Sequence, residues 1–179
     1  MKKSTILLAG LLSGASMLGI VSPAAPAPTA SSSAPAASSE RATPVPGVHY
    51  IRPAHTPDKC ITVHGWDASD AAKIDQWTCH GQRNQRWTFM DNGAFRYWVK
   101  SEFSNKCLDG GDLKKGHKVT QRSCHSAFKQ AWYPVPRGNT YEIHVGTQCL
   151  DVQGGSRTNG ARIILWKCKN VSNQRFYLN

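Results

Sequence analysis

From His49 onward the chain is a succession of short runs in which apolar and polar residues alternate, each broken by Gly, Asn, Asp, Ser or Pro. Alternation over a few residues marks strands with one buried face, and the breaking residues supply the reversals between them. The runs are HYI, CITV, KIDQW and WTFM, then AFRYWV, KCLD, KVTQ and AWYPV, then TYEIHV, QCLDV, RIILW and RFYL. Few stretches hold the 3.6-residue apolar period of a helix. The pattern therefore predicts three sets of four short strands.

The sets recur in register. Aligning Cys60, Cys107 and Cys149 also aligns Cys79, Cys124 and Cys168; six residues beyond each second cysteine stands Gln85, Gln130 or Gln174, followed two places on by Trp87, Trp132 or Phe176. A unit of this size is too small to bury a core alone, so three must share one. Closure of an antiparallel sheet hides the edges that would otherwise pair with other chains. The three repeated aromatics are expected to be pillars of the shared core, and the glutamines before them to bond backbone groups of neighbouring loops.

The cysteines refine this picture. Fifteen pairings of six are possible. The intervals of 19, 17 and 19 residues favour Cys60 with Cys79, Cys107 with Cys124 and Cys149 with Cys168. Each such loop contributes about 3 kcal/mol if unfolded-state entropy dominates. Cys79-His80 and Cys124-His125 prompt a metal reading, but no Cys-x-x-Cys pair accompanies them, and no metal or other cofactor is expected.

Composition bounds the rest. Lys2 and Lys3 precede an apolar stretch from Ile6 to Val21 with small residues beyond it, so residues 1–25 read as a secretory signal peptide. The stretch is short and diluted by Ser and Gly, which argues against a stable membrane span. Residues 26–46 are rich in Pro, Ala and Ser and read as a disordered linker. Residues 47–179 form the domain, and the protein is expected to be secreted. The formal charge of +11 falls to about +9 once Lys2 and Lys3 leave, a balance suited to anionic glycans or acidic proteins. No nucleic-acid-binding signature accompanies the scattered cations, so no specific nucleic acid is expected.

With three cysteine pairs in register with QRW at 85–87, QAW at 130–132 and QRF at 174–176, and with CLD at 107–109 and again at 149–151, the chain resembles the ricin-type β-trefoil lectins, also classed among family 13 carbohydrate-binding modules. The resemblance covers nearly all of residues 47–179. It implies an all-β fold, a β-trefoil of three four-stranded repeats with three intrarepeat disulfides, forming a six-stranded barrel capped by three hairpins, with up to three shallow sugar pockets. It also implies that an Asp after the first cysteine accepts from sugar hydroxyls, that an aromatic two places before the second cysteine stacks on the ring, and that the Asn-Gln pair supports or completes the contacts.

Carried onto the third repeat, these roles fall on Asp151, Trp166, Asn173 and Gln174, with Ile164 where some relatives have a further polar contact. The chemistry agrees, because a pyranose offers an apolar face to an indole and a rim of hydroxyls to a carboxylate and an amide. The same residues also admit a structural reading: Asp151 capping its turn, Asn173 orienting its loop and Trp166 buried. The second repeat keeps Asp109 and Gln130 but has Arg122 at the stacking place and Lys129 for the asparagine, an arrangement better suited to an anionic substituent than to a neutral sugar. The first keeps Trp77, Asn84 and Gln85 but has Thr62 for the aspartate. One principal site is therefore expected.

The function implied is a secreted, non-enzymatic carbohydrate-binding protein; galactose- or xylose-type glycans and polysaccharides are the partners the resemblance suggests. No pair of carboxylates is nominated for glycosidic hydrolysis, and the seven histidines lack a neighbouring nucleophile pattern. The competing reading is a protein-binding trefoil, an extracellular inhibitor or toxin-associated subunit, since fold alone does not determine function.

Overall fold

The computed structural model describes residues 46–179; the predicted signal peptide and all but the last residue of the predicted linker lie outside the described residues. Twelve strands follow one another: β1 (Gly47–Pro53), β2 (Lys59–Val63), β3 (Ile74–Thr78), β4 (Arg86–Asp91), β5 (Tyr97–Ser101), β6 (Cys107–Asp109), β7 (Thr120–Arg122), β8 (Tyr133–Arg137), β9 (Thr140–Val145), β10 (Gln148–Val152), β11 (Ile163–Lys167) and β12 (Arg175–Leu178). Each overlaps one of the runs read from the alternation. AFRYWV is the largest mismatch in bounds: Ala94 (φ 51°) and Phe95 (φ 59°) turn through the left-handed region, so the strand starts only at Tyr97. Among the described residues no helix is long and apolar enough to cross a membrane.

The strands close into a ring. β1 pairs with β4, β4 with β5, β8 with β9, β9 with β12 and β12 with β1, all antiparallel. The join between β5 and β8 is a bridge of Tyr97 and Trp132, each donating its N–H to the other's carbonyl, at 2.7 and 3.0 Å. The other six strands make three hairpins, β2–β3, β6–β7 and β10–β11. This is a β-trefoil, and its three disulfides are those the intervals favoured: Cys60–Cys79, Cys107–Cys124 and Cys149–Cys168.

Trp87, Trp132 and Phe176 are fully buried at the shared centre. A buried indole needs a partner for its N–H, and in each case strand geometry provides one: Trp87 donates to the Ile61 carbonyl at 3.0 Å and Trp132 to that of Leu108 at 2.8 Å. The third repeat uses phenylalanine and needs none.

The hairpins are held to one another by a cyclic hand-off. Ala71, Gly116 and Gly160, each with positive φ, occupy matching places in the loops within the three hairpins and donate their N–H to Gln121, Leu165 and Gln76 respectively, at 2.8, 2.7 and 2.9 Å. The first repeat's loop thus grips the second repeat, the second grips the third, and the third returns to the first. Gln76 and Gln121 answer with their side-chain amides, donating to Ser156 and Thr158 or to Asp67 and Ser69 carbonyls. The cavity beside the third-repeat hairpin accordingly has Gly116 of the second repeat in its wall.

Candidate functional site

The three buried glutamines build the same scaffold in each repeat. Gln85, Gln130 and Gln174 accept from the N–H of His80, His125 and Lys169 and donate to the carbonyls of Thr78, Ser123 and Lys167. These bonds lock the turn after the second cysteine onto its hairpin. The remaining amide hydrogen points to the place after the first cysteine, where it meets Thr62, Asp109 or Asp151 at 3.0, 2.9 and 2.8 Å. Gln174 is therefore a positioning residue, with its side chain occupied in aiming a carboxylate.

In the third repeat the result is a concavity of about 450 Å³ whose lining includes Asp151, Trp166, Lys169, Asn173 and Gln174. Trp166 is half-buried rather than enclosed in the core, so the four predicted residues converge. Asn173 donates to Asp151 Oδ1 at 3.2 Å and to the Val152 carbonyl at 3.1 Å, while Gln174 holds Oδ2. Asp151 is only 4% exposed. Burial raises its pKa above the ordinary aspartate value, against the lowering effect of the Gln174 and Asn173 hydrogen bonds and the nearby His55 and Lys169. Ile164 lies opposite Asp151 across the hairpin. From the second repeat, Gly116 joins the lining and Lys115 places its ammonium 4.3 Å from the Trp166 ring centroid, a cation–π contact that restrains the indole.

The second repeat keeps the aspartate but encloses it. Asp109 is fully buried; Oδ1 accepts from the Gly111 N–H at 2.8 Å, and Oδ2 accepts from Gln130 with Lys129 Nζ and His125 Nε2 at 3.7 and 3.8 Å. Both oxygens face protein donors, and Arg122 stands exposed where an indole would lie.

In the first repeat Thr62 uses its hydroxyl internally, donating to the Cys60 carbonyl and accepting from Gln85. Trp77 is 39% exposed. Three residues that the sequence reading passed over complete this pocket of about 220 Å³: His64, Trp66 and Asp75. Asp75 sits directly across the hairpin from Thr62. The signal was present in IDQW, an aspartate two places before the stacking tryptophan, but only the strand register connects it to Thr62.

Among the described residues, the group close enough to share a metal ion is His144, Cys149 and Cys168. Both sulfurs are joined to each other in a disulfide, so no thiolate is offered.

Residues 95–179 match the family described as Ricin-type beta-trefoil lectin domain, and residues 41–112 one described as Ricin-type beta-trefoil lectin domain-like. Nigrin b of Sambucus nigra is 27% identical over 101 residues, which are 55% of this chain and 17% of that protein. Ribosome-inactivating protein PMRIPt of Polygonatum multiflorum is 25% identical over 96 residues, 54% of this chain and 14% of that one. The chain thus spans less than a fifth of these curated relatives' length. Among solved structures, the designed threefold-symmetric protein ThreeFoil has a TM-score of 0.70 at 27% identity, covering 74% of this chain and 97% of that one. The Macrolepiota procera ricin B-like lectin, solved with lactose, is alike in fold, with a TM-score of 0.65 at 22% identity over 74% of this chain and 94% of that one.

Proposed function

The chain belongs to the ricin-type β-trefoil lectin family, and from that premise we propose that it is a secreted, non-enzymatic carbohydrate-binding protein whose principal sugar site is the third-repeat concavity. The observation that carries this reading is the convergence of a half-buried indole and a carboxylate held by two amides on one open cavity. Asp151 accepts from adjacent hydroxyls, Trp166 receives the apolar face of the pyranose, and Asn173 and Gln174 fix the carboxylate. Positioned acceptors cost little reorganisation when the ligand arrives. One shallow pocket holds a monosaccharide weakly, and retention on a polymer then depends on repeated engagement. The lactose bound by the Macrolepiota procera lectin makes galactose-type sugars the first probes, with xylose-type polysaccharides next.

A glycan array at low and high salt, with parent, D151A and W166A, tests the proposal. Salt-resistant binding that each substitution removes supports shaped recognition, since diffuse charge attraction is screened by salt. Undiminished binding by the folded double variant overturns it. Phe95, 80% exposed at the tip of the β4–β5 hairpin, favours a second reading, capture of an extracellular protein. Sugar-insensitive capture lost in F95S supports that reading.

A further inference from the structure

The third-repeat cavity is flanked by positive charge that the fold does not use. Among its lining residues only Asp151 and Lys169 are charged. The wall contributed by the second repeat adds two more ammoniums. Lys118 is exposed and bridges to Ile164 in antiparallel register. Residues opposite one another in such a pair project from the same face, so Lys118 stands beside the Ile164 side chain that lines the cavity. Lys115, also exposed, holds its ammonium 4.3 Å from the Trp166 ring centroid.

These three ammoniums are not neutralised within the domain. Lys59, Lys73, Lys106, Lys114 and Lys129 each reach a carboxylate; among the described residues Lys115, Lys118 and Lys169 make no ion pair. Asp112, the acid on the same loop, is already engaged by Lys114 at 3.3 Å and by His117 at 2.8 Å. A cation recurs at the place of Lys118 in every repeat, but what it meets does not. Lys73 bridges to Thr120 and Arg162 to Asp75, whereas Lys118 meets the apolar Ile164. Asp151 does not balance the set, because it is one carboxylate, 4% exposed, with its oxygens held by Asn173 and Gln174. Charges of one sign gathered around a concavity raise the local potential and draw in the opposite sign.

We propose that the third-repeat site selects an acidic saccharide, one bearing a carboxylate or a sulfate group, and that Lys115, Lys118 and Lys169 receive that group. The division of roles follows from burial. Asp151 and Trp166 take the hydroxyl rim and the apolar face, while the exposed ammoniums take the charged substituent, which lies away from Asp151 because like charges repel. Contact with the indole fixes the Lys115 ammonium at the stacking platform itself, so a cation is in place where the ligand docks. An ammonium is a compact point charge and accepts either form of the anion. Lys115 and Lys118 belong to the second repeat, so the selectivity of the third site is set by its neighbour. The inference rests on carbohydrate binding at the third-repeat site and adds the substrate class.

The test compares matched oligosaccharides ending in galactose, galacturonate or sulfated galactose, at low and high salt. The proteins are the disulfide-intact parent, W166A, K118Q/K169Q and the charge control K59Q/K100Q on β2 and β5, each checked for a cooperative melt. The parent is expected to bind at least one acidic form about tenfold more tightly than the neutral one at low salt, and the ratio to narrow as salt rises. The favoured form identifies the group. K118Q/K169Q should bring the ratio near unity, K59Q/K100Q should keep it, and W166A should lose neutral and acidic forms alike. Equal parent affinity for all three forms, with each lost in W166A, would overturn this inference and leave the third-repeat site standing. An acidic preference that persists in W166A, or that falls as far in K59Q/K100Q, would assign it to diffuse charge and overturn the inference too. Binding of all three forms untouched by W166A would reject the site and the inference together.

Discussion

Replacing Trp132 by alanine separates a pillar from a platform. The side chain is fully buried, and its indole N–H is bonded to the Leu108 carbonyl. An aromatic ring of this kind withdraws about 150–250 Å² from water, which at ~25 cal/mol per Å² amounts to about 4–6 kcal/mol. The Leu108 carbonyl also loses its partner, worth ~1 kcal/mol, while partial collapse of the cavity recovers some of the loss. Large-to-small changes at fully buried aromatics cost about 3–5 kcal/mol on that account, and we take about 4 kcal/mol. At ~3–5 °C per kcal/mol for a domain of this size, the melting midpoint falls by about 12–20 °C. Differential scanning calorimetry with the disulfides intact measures it. W166A is the control: its ring is only half-buried and should cost about 1 kcal/mol or less. A W132A midpoint within ~2 °C of the parent would refute the assignment of the three repeated aromatics to the core.

Three further outcomes follow. Because burial raises the Asp151 pKa, glycan retention should decline on acidification with a midpoint above 3.8, and the ionised side chain should cost stability as pH rises through that folded value; titrating binding and melting of parent and D151N checks both signs. His144 has its pKa lowered from 6.5, chiefly by burial, with Glu142 opposing and Arg137 adding. Its neutral form is therefore the folded one, and the stability it contributes is present above 6.5 and lost as pH falls below it; the pH dependence of urea midpoints should flatten there in H144F. Q174L leaves the Lys169 N–H, the Lys167 carbonyl and one Asp151 oxygen without the bonds they have now, which should cost about 2–4 kcal/mol in denaturant unfolding and abolish third-site glycan binding.

The parts of this molecule legible in its sequence are those governed by local spacing. Twelve alternating runs became twelve strands because each strand's two faces see core and solvent in turn, and disulfides closing loops of 17 or 19 residues pair within repeats. The repeated Gln-x-aromatic fixed the pillars for the same reason. Ala94 and Phe95 were misassigned to a strand because apolar character there is exposed on a turn, which alternation does not distinguish. Asp75 escaped because its place beside Thr62 depends on the register of β2 with β3, which no linear motif specifies. Gln174 carries the family pattern, but only its three hydrogen bonds show that it aims the aspartate from inside the fold.

The pairing of β1 with β12 sets the order in which the barrel can mature. Each disulfide links residues close in sequence and is available as soon as its own hairpin has been synthesised. The seam between Ile51–Pro53 and Phe176–Leu178 must wait for the final strand. A contact of such long range slows folding, so a chain whose hairpins are already covalently stapled would still hold Trp87 and Trp132 in a core lacking its third pillar, Phe176, until β12 docks.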